Sequence, residues 1–399
     1  MECNLSQAEA RLRELGVAVF DVAGLAKRLG ELTDRRGRRG RRYELAPLLV
    51  LIVLAKLAGE DTPSGIADWA ANRSEFVVQE LGLTWSRMPH HNTFRRILAF
   101  VLDPDEIDRV ISQHLTSLEG VGTSQLIAFD GKTVRGTINE KNPRGTHLLS
   151  AYLTAEGIVL GQVAVESKEN EIVAAPVLLG GVVLKDKIVI ADAMHSQKAL
   201  SKQVTAAGGD FIWLIKKNQP SAFEDIEQLF APKTPTVLGN YLPDDFTAYE
   251  EGDKGHGRLE RRQITVSSEL KGYTKWPDFE QVFRVDRKRI NLTTGEIERE
   301  TVYGLTSLSA AQASAKQLFG YVRDYWGIEN GLHLRRDVTF REDRTRQTRG
   351  CAGRVMASLN NLAIGLLRFA GFTNLAHARR LCNSLLNHPT CLPIGLTLT

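Results

Sequence analysis

The sequence has few cysteines, and their spacing suits neither a redox pair nor a metal site. Its 399 residues include four cysteines, and none of them forms a CxxC pair. A chain held together by disulfides would carry more of them, so the low number indicates a reducing compartment. We therefore expect a cytoplasmic protein.

The sequence also lacks an apolar run long enough to cross a bilayer. The most apolar run begins at Leu45, contains Lys56, and falls short of the roughly 20 residues that a transmembrane helix needs. This run is predicted to form a buried helix. The N-terminal stretch is acidic and amphipathic, without the apolar centre of a secretory signal. We expect no membrane partner.

Neither sign of charge dominates the chain, because 51 lysines and arginines face 47 acidic residues. The local distribution is more informative, since the stretch RRGRRGRR holds six arginines. If all six met DNA phosphates, log affinity would fall against log salt with a slope near −5, at roughly 0.9 per contact. A solvated loop is the alternative. The six candidate DNA contacts are Arg35, Arg36, Arg38, Arg39, Arg41 and Arg42.

The pattern along the chain predicts an α/β protein in three regions. Residues 1–118 read as helices. After them, short β-branched runs alternate with helical stretches in the order three strands, helix, strand, helix, strand. Residues 225–305 are polar and strand-like, and helices resume from Ser309. The predicted regions are a helical N-terminal part (1–118), a central domain (119–370) and a helical C-terminal tail (371–399).

Two strands end in an aspartate. LIAFD ends at Asp130 and IVIAD ends at Asp192, and both runs read as buried central strands. Each residue alone could be a turn or capping residue after a strand. As a pair at one end of a sheet, however, they would bring like charges together, which is costly unless cations neutralise them.

The stretch DYWGIENGLH contains a third candidate carboxylate, Glu329. On a wheel of 100° per residue, Leu318, Val322 and Arg336 lie within about 20° of Glu329, which predicts that this glutamate faces the packed side. A buried carboxylate needs a partner, a raised pKa or a metal. An ion pair with Arg336 or Arg323 is one interpretation. A site made with Asp130 and Asp192 is the other, and three carboxylates suit Mg²⁺ or Mn²⁺.

Several motifs in series resemble a known family. AFDGKTVRGT, ADAMHSQ, KKNQP, GHGRLERR and YWGIENGLHLRRDVTFREDRTR look like the motifs of DDE transposases of the ISAs type, also called H-repeat-associated proteins. The resemblance implies a ribonuclease H-like catalytic domain in which Asp130, Asp192 and Glu329 hold two Mg²⁺ or Mn²⁺ ions. It further implies that residues 225–305 form a β-rich insertion. Its implied partners are double-stranded DNA, as terminal inverted repeats and target, and a second copy of the chain in a synaptic homodimer.

The sequence departs from the wider group around Glu329. Val322 and Tyr325 stand seven and four residues before it, where a tyrosine and an arginine are usual, and Arg336 stands in for a lysine as a phosphate contact. Asp337, Glu342 and Asp343 are interpreted as a solvated cluster paired with arginines, and assistance in metal binding is the alternative for Asp337. The further candidate DNA contacts are Lys132, Arg135, His195, Gln197, Lys216, Asn218, His256, Arg258 and Arg336.

Some of these candidates have structural alternatives. His195 also suits a structural hydrogen-bonding role, and the stretch around Lys216 also suits a solvated surface. The sequence as a whole predicts a DNA transposase that cuts at its element's ends and joins them to a target through the 3′-hydroxyl. A catalytically silent, sequence-specific DNA-binding protein is the main alternative. A structure-specific nuclease with the same three carboxylates is another.

Overall fold

The structure is a computed structural model that describes residues 21–165, 171–231, 245–255 and 257–385. The chain divides into two compact units. The first, which we call the helical unit, comprises residues 1–124, 131–168 and 329–399, and the second, the sheet unit, comprises residues 125–130 and 169–328.

Twelve α-helices lie in the described residues. In chain order they are α1 (Val22–Leu29), α2 (Leu45–Leu57), α3 (Pro63–Asn72), α4 (Ser74–Glu80), α5 (His91–Arg96), α6 (Pro104–Thr116), α7 (Glu171–Gly180), α8 (Lys198–Ala206), α9 (Pro220–Phe230), α10 (Ala315–Tyr325), α11 (Ala352–Phe369) and α12 (Leu375–Leu385). The described residues also contain three π-helical turns. Ile97–Val101 follows α5, and both Glu329–His333 and Arg335–Thr339 follow α10.

Nine strands lie in the same residues. They are β1 (Leu126–Val134), β2 (Thr146–Leu153), β3 (Ile158–Val165), β4 (Ile188–Ala191), β5 (Asp210–Ile215), β6 (Thr247–Gly255), β7 (Arg258–Ser267), β8 (Gln281–Asn291) and β9 (Ile297–Thr306). Their order is β3-β2-β1-β4-β5-β9-β8-β7-β6. The predicted succession of three strands, helix, strand, helix and strand is confirmed from β1 to β5.

The helical unit is built around α2, which is apolar on every side. Leu48, Leu49, Leu51 and Ile52 are all fully buried, so the predicted buried helix is confirmed. The long helix α11 packs against α6, α2 and the strand β3, and α12 packs against α2 and α11. Within the described residues, no helix combines the length and apolarity needed to cross a membrane.

The sheet unit joins a parallel part to an antiparallel part. Strands β1, β4 and β5 are parallel, with apolar runs buried on both faces, and β5 pairs antiparallel with β9. Strands β6 to β9 form an antiparallel meander that extends from Thr247 to Thr306. The predicted polar strands are therefore present, although residues 225–230 belong to α9 rather than to a strand.

Candidate functional site

Asp130 and Asp192 occupy equivalent positions on two neighbouring strands of the sheet unit. The parallel register pairs Leu126 to Phe129 of β1 with Ile188 to Ala191 of β4, one residue at a time. Asp130 and Asp192 follow the last pair, Phe129 and Ala191, and both are half-buried. The structure thus brings together the two aspartates that the sequence selected. One detail differs, because β1 continues to Val134 and Asp130 lies within the strand, where its pairing with β4 ends.

The carboxylate of Asp192 also orders the turn that follows β4. Its Oδ1 accepts hydrogen bonds from the backbone N–H of Met194 at 3.0 Å and of His195 at 3.4 Å. The turn role considered for this residue is therefore present. It leaves the second oxygen without a protein partner among the described residues, and a carboxylate has lone pairs enough to serve both a turn and a ligand.

His195 is a structural residue and not a surface contact. Its ring is 1% exposed, its Nε2 lies 2.9 Å from the buried carboxylate of Glu171, and its edge meets the ring of Phe129 at 5.0 Å between centroids. The predicted DNA contact at His195 is wrong, because the fold turns this side chain inward. His195 instead joins three segments next to the aspartates: the end of the β1–β4 pairing, the turn after β4, and α7.

The stretch after β5 braces the same turn. Asn218 donates its side-chain N–H to the carbonyl of Ala193 at 2.6 Å, and Gln197 donates to the carbonyl of Met194 at 3.2 Å. The amides of both residues are thus used within the protein. Lys216 is exposed and forms no ion pair with any described residue, so its contact with DNA stays a prediction.

Glu329 is exposed, and the prediction that it faces the packed side is wrong. Leu318, Val322 and Tyr325 are buried as the wheel predicts, but α10 ends at Tyr325 and Glu329 begins a π-helical turn. A π turn closes i→i+5 hydrogen bonds, so the 100° step no longer applies beyond Tyr325. Glu329 makes no ion pair within the described part of the chain.

The two arginines considered as partners of Glu329 bind other carboxylates. Arg323 pairs with Glu251 of β6. Arg336 is fully buried, with Nη2 at 2.8 Å from Glu342 and Nη1 at 3.3 Å from the side-chain oxygen of Gln162. The predicted phosphate contact at Arg336 is therefore wrong, because a buried guanidinium cannot reach DNA.

Gly331 is explained by a close approach. A Cβ at this position would lie 2.5 Å from the hydroxyl of Tyr152 on β2. Any larger residue would displace this buried tyrosine, so the glycine allows the π-helical turn to pack against the strand.

Three carboxylates after Glu329 lie within 4.8 Å of one another, namely Asp337, Glu342 and Asp343. Cations already neutralise them. The ammonium of Lys132 is 2.7 Å from Asp337 and 4.0 Å from Asp343, and Arg336 binds Glu342 at 2.8 Å. Arg135 adds a hydrogen bond from its backbone N–H to Asp343 at 2.9 Å. This is the paired cluster that the sequence indicated, with Lys132 as an additional partner. A divalent ion would have to displace Lys132, so the arrangement is that of an ion-pair network.

Two predicted DNA contacts belong to the same network. Lys132 is 9% exposed and pairs with Asp337, and its contact with DNA stays a prediction. The side chain of Arg135 is 77% exposed, and its contact with DNA stays a prediction.

The arginine run divides into paired and unpaired residues. Arg35 pairs with Asp103 at 2.6 Å, and both Arg36 and Arg41 pair with Asp34, at 2.8 and 3.6 Å. The structure therefore uses half of the run to fix the loop. The exposed residues that form no ion pair with a described residue are Arg38, Arg39 and Arg42.

The antiparallel meander carries a charged face. Glu260 of β7 is 4% exposed, and Arg262, Arg287, Arg289 and Arg258 all lie within 4 Å of its carboxylate. Burial alone would raise the pKa of Glu260, but the hydrogen bond from Arg287 and the neighbouring arginine charges outweigh burial and lower it. Arg258 is exposed and its DNA contact stays a prediction, whereas His256 lies outside the described residues.

Two family models and several known proteins match this chain. Residues 122–364 match the family model described as Transposase DDE domain, and residues 26–115 match the model described as DDE_Tnp_1-associated. The H repeat-associated putative transposase YhhI of Escherichia coli K12 is 28% identical over 318 residues, which cover 78% of this chain and 82% of the relative. The putative transposase YncI of Escherichia coli O157:H7 is 29% identical over 320 residues, 79% of each chain.

One solved structure is also similar, that of the piggyBac transposase synaptic complex with hairpin DNA. It is 9% identical, with a TM-score of 0.44, and the match covers 91% of this chain and 77% of the other. The predicted fold class, α/β with a β-rich insertion, is confirmed by the mixed nine-stranded sheet. The family match spans more than half of the sequence, and the chain belongs to the transposases with a DDE domain.

Proposed function

We propose that this protein is a DNA transposase of an insertion sequence. It binds the terminal inverted repeats of its element, cuts the strands at the ends and joins them to target DNA through the 3′-hydroxyl. Asp130, Asp192 and Glu329 are its catalytic carboxylates, and Mg²⁺ or Mn²⁺, as two ions, is its cofactor.

The observation that carries the proposal is the matched position of Asp130 and Asp192. Two carboxylates at equivalent places on adjacent parallel strands repel each other unless a cation lies between them. Asp192 forms no ion pair with any described residue, so none of those residues supplies such a cation to it. A donor set made only of carboxylate oxygens suits a hard divalent ion.

The residues around Asp192 fit a site that must be ordered before it binds. The backbone N–H groups of Met194 and His195 fix one carboxylate oxygen, and Asn218 holds the carbonyl of Ala193. The ring of His195, anchored by Glu171, holds the turn against Phe129. Such supporting contacts orient ligands and limit their motion.

Bound divalent ions supply an activated water or 3′-hydroxyl and stabilise the leaving oxygen of a phosphodiester. The contribution of the chain is to place carboxylates of fixed orientation on neighbouring strands. The family resemblance implies that Glu329 is the third catalytic carboxylate. Its exposure and the absence of an ion pair with any described residue leave it available to a ligand, and π turns within helices recur at functional sites.

Strand cleavage on a duplex that contains an element end tests the proposal. With Mg²⁺ present, we expect the wild type to nick the duplex, and Asp130→Asn, Asp192→Asn and Glu329→Gln to lose nicking while still binding it. Glu224→Gln removes an exposed carboxylate of α9 and is the matched control. An Asp130→Asn variant that nicks at the wild-type rate would refute the assignment. Tight DNA binding by a wild type that neither takes up Mn²⁺ in calorimetry nor nicks would support the catalytically silent alternative.

The proposed assembly is a homodimer that pairs two element ends. Light scattering on the complex with an end duplex is expected to give two chains and two duplexes. A complex of one chain with one duplex at micromolar concentration would contradict the dimer without affecting the nicking assignment.

A further inference from the structure

A large groove in the helical unit is lined by arginines. Its walls are the loop and first turn of α3 (residues 59–64), the exposed side of α5 with the residues that follow it, and the segment 341–349. Its volume is about 1270 Å³, whereas pockets for small molecules usually measure about 300–1,000 Å³. The groove therefore suits a ligand larger than a metabolite.

Arginines supply most of the charge of this groove. The lining contains six exposed arginines, and none of the six forms an ion pair within the described ranges. In the part of the chain that the structure describes, the one hydrogen bond from any of them to a side chain runs from Arg95 to the hydroxyl of Ser64, at 3.4 Å. The six are Arg95, Arg96, Arg341, Arg344, Arg346 and Arg349.

The carboxylates of the lining do not offset this charge. Asp61 is already paired with Arg379 at 2.6 Å and with Lys56 at 3.8 Å. Glu60 is then the only remaining carboxylate that lines the groove in the described residues. Arg354 and Arg336, which also belong to the helical unit, bind carboxylates. The six arginines of the groove differ from them, because they line one cavity and form no ion pair with a described residue.

The backbone holds the segment 341–349 in a fixed shape. At its start, Arg341 adopts a left-handed conformation with φ of 50°, and Thr345 donates its N–H to the carbonyl of Arg341 at 3.0 Å. Next, Gln347 donates to the carbonyl of Gly136 at 3.1 Å. At its end, Gly350 is so close to Ala99 that a Cβ would lie 2.1 Å from that carbonyl oxygen.

This anchoring turns alternate side chains outward. Thr345 and Gln347 are half-buried against the protein, whereas Arg344 and Arg346 are exposed. Rigid presentation matters because binding then immobilises only the side chains, and no further entropy is lost by ordering the backbone that carries them. Non-glycine residues in the left-handed region, such as Arg341, concentrate at functional sites.

We infer that this groove binds the phosphate backbone of duplex DNA, an inference that rests on the proposed function for the identity of the polyanion. Guanidinium groups bind phosphate oxygens in pairs of hydrogen bonds, which makes arginine the preferred side chain for phosphate. Six unpaired arginines exceed what the few phosphates of a nucleotide can neutralise. A duplex presents a continuous row of phosphates that matches both the charge and the size of the groove.

The salt dependence of DNA binding, measured by fluorescence anisotropy on a labelled duplex, tests the inference. Each phosphate contact contributes about 0.9 to the slope of log affinity against log salt. The variant Arg95→Gln, Arg96→Gln, Arg344→Gln, Arg346→Gln removes four contacts, so its slope is expected to be shallower by about 3.6. Raising the salt from 50 to 200 mM should then weaken its binding about 150-fold less than that of the wild type.

The matched control also removes four exposed cations, all of them outside the groove. It is Arg109→Gln, Lys141→Gln, Lys185→Gln, Lys202→Gln, and it is expected to keep the wild-type slope. Two double variants, one on α5 (Arg95 and Arg96) and one on the segment 341–349 (Arg344 and Arg346), should each lose about half of the effect. Thermal unfolding of each variant verifies that it folds.

Several outcomes would overturn the inference. If the control variant loses as much slope as the groove variant, the effect comes from net charge and not from the groove. If the slope of the groove variant is unchanged, the groove does not contact phosphate. If a single-stranded oligonucleotide displaces the labelled duplex at a lower concentration than unlabelled duplex does, the ligand is not duplex DNA. Nicking separates this inference from the proposed function. Groove variants that bind and nick like the wild type refute the groove alone, whereas a wild type that binds through the groove without nicking refutes only the catalytic proposal.

Discussion

The buried charge of Lys56 lowers the free energy of unfolding, and a single substitution can measure by how much. Its side chain is fully buried in α2, and its ammonium lacks a hydrogen bond among the described residues. The nearest carboxylate is Asp61 at 3.8 Å, and the ring centroid of Phe340 lies 5.6 Å away. Burial lowers the pKa of Lys56 from 10.5 to about 8, against the attraction of Asp61.

The size and sign of the effect follow from proton linkage. The pKa is about 8 in the folded protein and 10.5 in the unfolded chain, and each unit of difference corresponds to about 1.4 kcal/mol. Charging Lys56 thus costs the fold about 3 kcal/mol below pH 8. Between pH 8 and 10.5 the unfolded chain holds a proton that the folded protein has released, so the free energy of unfolding rises with pH.

Lys56→Met keeps a long side chain and removes the charge. We expect its free energy of unfolding to exceed that of the wild type by about 2–3 kcal/mol at pH 7, and the difference to shrink steadily up to pH 10.5. Urea denaturation followed by tryptophan fluorescence at several pH values measures both quantities. Lys185→Met, at an exposed position, should give a difference that does not change with pH. If the Lys56→Met difference is also the same at pH 7 and pH 10, the reasoning from burial is wrong.

Three further changes in stability follow from the structure, each measurable by urea denaturation. Gly304→Ala should lower the free energy of unfolding by about 1–3 kcal/mol, because its Cβ would lie 2.1 Å from the buried ring of Phe283; adding Phe283→Leu should restore part of the loss. Arg336→Met should cost about 3–5 kcal/mol by leaving Glu342 buried and unpaired, and adding Glu342→Leu should recover most of it. Burial raises the pKa of Asp108 from 3.8 to about 6, so the wild type should lose stability relative to Asp108→Asn as pH rises from 4 to 6, and a constant difference would contradict this.

The strands and the two aspartates were predictable because their signals are local. Runs such as LIAFD and IVIAD are short and contain β-branched residues, which favours strands over helices. The carboxylate at the end of each run shows where its buried part ends. Parallel pairing then requires equivalent positions to align, as Phe129 and Ala191 do. The succession of strands and helices along the chain was predictable for the same reason, since both crossover helices end at or just before a pair of glycines.

The orientation of Glu329 could not be predicted, because a wheel assumes one helical period throughout. Val322 and Tyr325 obey that period, and the glutamate does not, since the hydrogen-bond pattern changes after Tyr325. The burial of Arg336 and its hydrogen-bond partners could not be predicted either. Its partners include Gln162, 174 positions earlier in the sequence, and no local pattern indicates a contact of that range.

The arginines show why a run of charge in a sequence does not identify a binding surface. The stretch 35–42 is the densest cluster of arginines in the chain, yet three of its six arginines bind Asp34 or Asp103. The groove draws its arginines from α5 and from the segment 341–349, which lie far apart in the sequence. Whether an arginine is available to phosphate depends on the carboxylates that folding brings near it. The unpaired state of the groove arginines is therefore stronger evidence for a DNA contact than the density of arginines in the run.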